Sequence, residues 1–292
     1  MQKYNVYTDL ACEAEISHDK GENGTSYREK NVCGLKVAHL TVENEIGEKF
    51  SGKKQGEYIT LFTPLLSDID SNQSETLLRV ISGEIDNLMK RILGKKPSCV
   101  LVAGLGNREI TADNIGPKTV DRLNVTRHLK EQSPELFENY WCSPLCAIAP
   151  GVLGQTGIES AEIISAVCNY AKPDVVIAID ALAARATERL GATVQISDNG
   201  IFPGSGIGNR RSEISRKTLG IPVIAIGIPT VVNSSTLVYD ALCKAGYDSV
   251  DENIQRVLKS GESFFVSPKQ SDLISESAAE ILSGAINQLF LK

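Results

Sequence analysis

Two short apolar runs, each carrying or soon followed by an aspartate, set the strongest limit on how this chain folds. The first, residues 99–107, reads Cys-Val-Leu-Val-Ala-Gly-Leu-Gly-Asn and leads through Arg-Glu-Ile-Thr-Ala to Asp113. The second, residues 175–185, reads Val-Val-Ile-Ala-Ile-Asp-Ala-Leu-Ala-Ala-Arg and contains Asp180. Both are rich in Val and Ile, bounded by turn signals and free of polar alternation. A strand buried on both faces of a parallel sheet has this character. Ligands of such sheets bind beyond the carboxyl ends of the strands, so both aspartates are expected at that edge. Two carboxylates held close there cannot easily both ionise. One can then activate a water while the other protonates a leaving group. Helix capping or ion pairing would account for the same two residues, and the pattern alone does not choose.

The rest of the chain extends the same picture. A third apolar run covers 222–226, with shorter strand candidates at 145–149 and 194–197, the last read as peripheral. Helical spacing of Leu77, Ile81, Ile85, Leu88 and Ile92 predicts an amphipathic helix, capped by Ser74 or Asn72 and ended by Gly94. Gly116-Pro117 is expected to open another helix, with Val120, Leu123 and Leu129 as its apolar face. Further helices are expected over 159–171, 234–245 and 273–291. Alternation over 32–43 and 57–63 predicts an antiparallel pair joined by a turn at 52–56, after a polar, acidic lead-in of some thirty residues. Strands alternating with helices predict an α/β fold. Its sheet is mostly parallel and buried, with helices on both faces, plus a small N-terminal antiparallel excursion.

Several function classes are disfavoured. A net charge of −6 over 292 residues offers no nucleic-acid footprint. No apolar run has the length of a signal peptide or a bilayer span, so a soluble, cytoplasmic protein is expected. Seven scattered cysteines without a C-x-x-C, and only three histidines, argue against a zinc site. Cys99 and Cys168 are expected simply to pack, and His128 to be a partly buried, hydrogen-bonded histidine. Gly104-Leu105-Gly106-Asn107 lacks the third glycine of a dinucleotide fingerprint and reads equally as a tight turn. The glycine-rich stretch 204–209, followed by Arg210 and Arg211, suits an anion or a backbone carbonyl, or a surface loop. No nucleophile elbow and no H-E-x-x-H occurs, which leaves carboxylates as the natural chemical groups.

The succession of motifs resembles the germination protease family of spore-forming bacteria. The matching stretches are Thr-Asp-Leu-Ala (8–11), Gly-Leu-Gly-Asn (104–107), Thr-Ala-Asp-Asn-Ile-Gly-Pro (111–117) and Val-Thr-Arg-His-Leu (125–129). Residues 149–159, 179–185 and 195–209 match as well. The resemblance implies an endopeptidase of small acid-soluble spore proteins, acting during germination in the spore compartment. It also implies a zymogen that trims its own N-terminus, a fold related to hydrogenase-maturation proteases, a homotetramer and no cofactor. The substrates coat DNA, so any link to nucleic acid is indirect, and no membrane partner is expected. The family's two proposed catalytic aspartates fall on Asp113 and Asp180.

Family substrates are cut after the acid of a Thr-acid-apolar-Ala sequence. The resemblance therefore places self-cleavage between Asp9 and Leu10, with residues 1–9 as pro-segment and 10–292 as a single protease domain. A substrate acid beside the scissile bond calls for a cationic or amide-rich partner; Arg185, Arg210 and Arg211 are the candidates. Two alternatives remain open. Asp113 and Asp180 would hold a metal, as related maturation proteases hold nickel, although histidines are scarce. Or the chain is a non-enzymatic module whose glycine-rich loops bind a small anion.

Overall fold

The Val- and Ile-rich runs form strands, and helices cover both of their faces. The computed structural model describes residues 7–14, 23–203, 212–247, 251–261 and 264–292. Along the chain, β1 (Thr25–Val32), β2 (Leu35–Val42), α1 (Glu45–Ser51) and β3 (Gly56–Phe62) lead to the long helix α2 (Ser71–Leu93). Next come β4 (Val100–Gly104), the short helices α3 (Ile115–Val120), α4 (Arg127–Gln132) and α5 (Pro134–Tyr140), and β5 (Leu145–Ile148). Helices α6 (Leu153–Thr156) and α7 (Ser160–Ala171) precede β6 (Val175–Ala184) and β7 (Thr193–Ser197). Then follow α8 (Arg216–Leu219), β8 (Val223–Asn233), α9 (Ser234–Lys244), α10 (Glu252–Gly261), β9 (Phe265–Val266) and α11 (Ser271–Phe290).

The described strands form one nine-stranded sheet in the order β1-β2-β3-β7-β8-β6-β4-β5, with β9 against β8. Strands β5, β4, β6 and β8 run parallel. The N-terminal strands are antiparallel and join this core through β7. The expected α/β architecture is thus present, with the antiparallel excursion continuous with the main sheet.

Alternation along β6 shows how the strand is buried on both sides. Val175, Ile177 and Ile179 join Ile81 and Ile85 of α2 and Ile281 and Ile286 of α11 in one cluster. Val176, Ala178 and Leu182 join Ile164 of α7 and, from the N-terminal segment, Leu10 in the other. Helix α2 is fixed at both ends. Asp70 caps it by accepting from Gln73 N–H at 2.8 Å, while the Gln73 side chain returns to Asp70 N–H at 3.0 Å. Gly94 ends it in the left-handed conformation, as expected. The cap is Asp70 rather than Ser74 or Asn72, because only a residue ahead of the first turn can serve its free amides.

Other expectations are corrected. Strand β7 is not peripheral: it lies between β3 and β8, with Val194 and Ile196 in the core. The polar lead-in contains β1, a charged edge strand of the kind that resists further pairing. The turn between β2 and β3 includes helix α1, capped by Asn44. Helix α3 stops at Val120 because Thr126 is tied to β5, its N–H donating to Leu145 O and its hydroxyl accepting from Leu145 N–H. Leu129 therefore sits on the separate helix α4. His128, on the same helix, is exposed rather than partly buried. Cys99 and Cys168 are buried free thiols, as expected. No described helix is long and apolar enough to cross a membrane.

Candidate active site

Strand β4 ends where β6 continues. Their last rung pairs Gly104 with Ile179, so Asp180 stands one residue past it, at the carboxyl edge of the parallel strands. Asp180 lies opposite Gly227 of β8, and Gly227 lies opposite Gln195 of β7. Residues directly opposite share a face. By alternation with Ala178 and Leu182, that face carries α7 and Leu10. Neighbouring strands are roughly 4.8 Å apart, so the Asp180 and Gln195 backbones stand about 10 Å apart across Gly227. Asp180 is buried, and Ala181 N–H donates to its Oδ1 at 2.9 Å.

Asp113 comes to the same edge along the loop that leaves β4. Gly104-Leu105-Gly106-Asn107 is a tight turn here: Gly106 has φ of +108°, and a Cβ there would lie 1.9 Å from the Asp113 carbonyl oxygen. Asn107 N–H donates to Asp113 Oδ2 at 2.7 Å. Leu105 N–H donates to Ile179 O at 2.7 Å, anchoring the turn beside Asp180. Thr230 of β8 donates to Ala112 O at 2.6 Å and holds the short 3-10 turn Thr111–Asp113 from the other side. Both aspartates therefore belong to one edge of the sheet, Asp113 half-buried and Asp180 fully so.

The N-terminal segment is docked against the same region, not a loose lead-in. Asp9 N–H donates to Ala183 O at 2.9 Å, and Ala183 N–H donates to Asp9 Oδ2 at 2.7 Å. Leu10 and Ala11 are fully buried. Gln195 binds both sides of Leu10: Nε2 donates to Asp9 O at 3.2 Å, and Oε1 accepts from Ala11 N–H at 2.6 Å. Lys53 Nζ donates to Thr8 O at 2.8 Å. Glu13 accepts from Arg185 N–H and Ala186 N–H at 2.8 and 2.9 Å. A cavity of about 230 Å³ opens beside this segment, lined by Asp9, Lys53, Leu182, Gln195, Phe202 and Gly227 among others.

The acids of this segment thus meet main-chain N–H groups at the end of β6, with the Lys53 ammonium close enough to feel their charge. Burial pulls the Lys53 ammonium below the ordinary lysine range, against the opposing pull of Asp9 and Glu13. Arg185 is placed differently: its guanidinium forks onto Asp240 of α9 at 2.7–3.1 Å. Arg210, Arg211 and the glycine-rich stretch before them lie outside the described residues. Among the described residues, no group of three or more His, Cys, Asp or Glu side chains is placed to hold a metal ion.

Gln195 and Lys53 are absent from the sequence-based candidates. Gln195 had a signal, as a lone amide within Val-Gln-Ile; Lys53 had none, being one of several polar residues in a turn.

Comparison with known proteins agrees with the motifs. The germination protease family model matches residues 5–245. The chain is 41% identical over 305 residues to a germination protease of Caldanaerobacter subterraneus, covering 97% of this chain and 93% of that one. It is 44% identical over 251 residues to a germination protease of Priestia megaterium, covering 83% and 67%. Among solved structures it is similar to a nickel–iron hydrogenase maturation protease of Thermococcus kodakarensis, with 16% identity and a TM-score of 0.36 over 69% of this chain and 97% of that one. With both aspartates at one sheet edge and the family model spanning most of its length, this chain belongs to the germination protease family.

Proposed function

We propose that this protease is an endopeptidase of small acid-soluble spore proteins, working in the spore compartment and made as a zymogen. Residues 1–9 form the pro-segment, 10–292 the single protease domain, and four copies assemble. Asp113 and Asp180 share the chemistry. One carboxylate takes a proton from a water whose oxygen bonds to the carbonyl carbon. The other delivers a proton to the amide nitrogen as the carbon–nitrogen bond breaks. In self-processing these atoms are the Asp9 carbonyl carbon and the Leu10 nitrogen. Arg210 and Arg211 remain proposed contacts for a substrate acid; Arg185 acts on the segment through its main chain, its guanidinium being committed to Asp240.

The observation that carries this reading is the seat of Thr8-Asp9-Leu10-Ala11. This sequence is held by hydrogen bonds to Ala183, three residues past Asp180 on the same strand, and to Gln195 in the Asp180 row. The test is digestion of a purified small acid-soluble spore protein by wild type, Asp113→Asn and Asp180→Asn, with and without chelator. Both variants should stay folded and lose cleavage, with chelator inert. Normal cleavage by the variants would remove the aspartates from the mechanism, and chelator alone stopping the wild type would install the metal reading. N-terminal sequencing of matured protein should begin at Leu10; any other start sinks that cleavage site.

A further inference from the structure

The row Asp180–Gly227–Gln195 carries one polar side chain to which the reading above gives no part in the chemistry. Gln195 is buried, yet its amide is spent on main-chain groups of the segment flanking Leu10. Those contacts fix which way the amide faces. Turned over, it would set its NH2 group against Ala11 N–H and its oxygen against the Asp9 carbonyl.

We infer that Gln195 is a further catalytic residue, the hydrogen-bond donor to the carbonyl oxygen of the scissile bond. The inference rests on the cleavage reading above. When water adds to the Asp9 carbonyl carbon, the carbonyl π pair moves onto oxygen, which gains negative charge. Nε2 of Gln195 already points at that oxygen from 3.2 Å. A donor aimed at developing charge from a buried side chain stabilises the transition state more than the ground state. As the carbon–nitrogen bond breaks, the pair returns to rebuild a carbonyl, and the Leu10 nitrogen leaves with its proton. The Oε1 contact to Ala11 N–H keeps the donor in register with that bond.

Gly227 makes room for this arrangement. A Cβ there would lie 2.5 Å from Leu182 Cδ1, so a larger residue would crowd the space between Asp180 and Gln195. A cavity lined by Asp9, Gln195 and Gly227 among others opens beside this arrangement. Because both of these Gln195 hydrogen bonds go to main-chain atoms of the segment, they can serve the chain's own N-terminus and a substrate alike.

The test uses the full chain, purified uncut. Self-cleavage is followed as a first-order process by appearance of the Leu10 terminus, and hydrogen exchange at Ala11 N–H is read before cleavage. Gln195→Glu, assayed at about pH 8 to favour its carboxylate, keeps an acceptor for Ala11 N–H but lacks the donor; Gln195→Met lacks both at similar length. Both should remain folded with lowered melting temperatures, and cleave about 100-fold more slowly. Ala11 should stay protected in Gln195→Glu and lose protection in Gln195→Met. Agreement of the two rates separates the missing donor from the added charge; retained protection in the slow Gln195→Glu separates it from a lost clamp. Cleavage by Gln195→Glu at the wild-type rate overturns the inference alone. A wild type that never yields the Leu10 terminus overturns the cleavage reading and the inference with it. Should Gln195→Met fail to fold, the rate and protection of Gln195→Glu decide.

Discussion

The two halves of the sheet bury their interiors differently. In the parallel half, β4, β6 and β8 bury aliphatic side chains on both faces, with Asp180 set among them. In the antiparallel half, β2, β3 and α2 bury charge. His39 and Glu84 are 3% and 4% exposed, and His39 Nδ1 meets Glu57 Oε1 at 3.0 Å. Lys30 meets Glu84 at 2.6 Å, and Arg91 meets Glu57 at 2.6 Å. A buried acid with basic neighbours on the adjoining strand and helix is accounted for by structure. Asp180 and Gln195 are buried elsewhere: Asp180 interrupts an aliphatic run, and the Gln195 amide is hydrogen-bonded to the main chain of the segment around Leu10.

The largest expected effect lies in the parallel half. Ile177 is fully buried, opposite Val102 on one side and Ile224 on the other. Ile177→Ala should cost about 2–5 kcal/mol in urea unfolding, by lost transfer energy plus a cavity. The cost should vary little with salt or between mildly acidic and neutral pH, since no charge is involved. A strong salt dependence would show that the two halves are not energetically distinct.

A smaller effect is expected from Glu84→Gln in the antiparallel half. The change keeps shape but removes the charge that Lys30 and His39 face. Lys30 is partly solvated and recovers part of the loss in water, so about 1–3 kcal/mol is expected. The double variant Glu84→Gln with Lys30→Met should cost less than the sum of the singles. Strict additivity in urea unfolding would mean that the pair contributes nothing and that packing alone holds this half.

This contrast also explains what was legible in the sequence. Strands buried on both faces announce themselves as unbroken Val/Ile runs, and α2 and α11 as apolar stripes, because burial there depends on local pattern. Asp180 was legible as the one acid inside such a run. The place of β7 was not: Thr-Val-Gln-Ile-Ser alternates like an edge strand, and its partners, β3 and β8, are distant in sequence. Gln195 was missed for the same reason, since it acts on residues about 184 positions away. Lys53 acquires meaning only once Thr8 and Asp9 are folded back on it. Arg185 shows the converse. A cation at the end of β6 was legible, but its ion pair with Asp240, on a helix that follows β8, was not.

The smallest expected effect lies at the seam between the halves, where Asp198 follows β7 and accepts Glu57 N–H at 2.7 Å. Burial holds the Asp198 carboxyl above its ordinary value of 3.8, and the nearby charge of Glu57 adds to this, against the pull of the hydrogen bonds. An acid whose folded value is raised binds its proton more tightly folded than unfolded. It therefore favours the fold at low pH and penalises it as pH rises from the ordinary value through the raised one. Glu57 runs the other way. Burial raises it, but the His39 hydrogen bond and the Arg91 charge outweigh burial and hold it below 4.5. Its contribution is present above that ordinary value and is lost as pH falls through the folded one. In Asp198→Asn, the amide oxygen can still accept Glu57 N–H while the charge penalty disappears. The variant should be more stable than wild type at neutral pH, by no more than about 1 kcal/mol. Melting curves from about pH 7 down to about pH 4 should show that advantage shrinking, because the wild-type carboxylate becomes protonated and its penalty relaxes. The variant, left with Glu57, should lose stability on acidification more steeply than wild type. A variant less stable than wild type at neutral pH would mean that the Asp198 charge is held by its neighbours, and that the ionic half of the sheet reaches one strand further toward the Asp180 row.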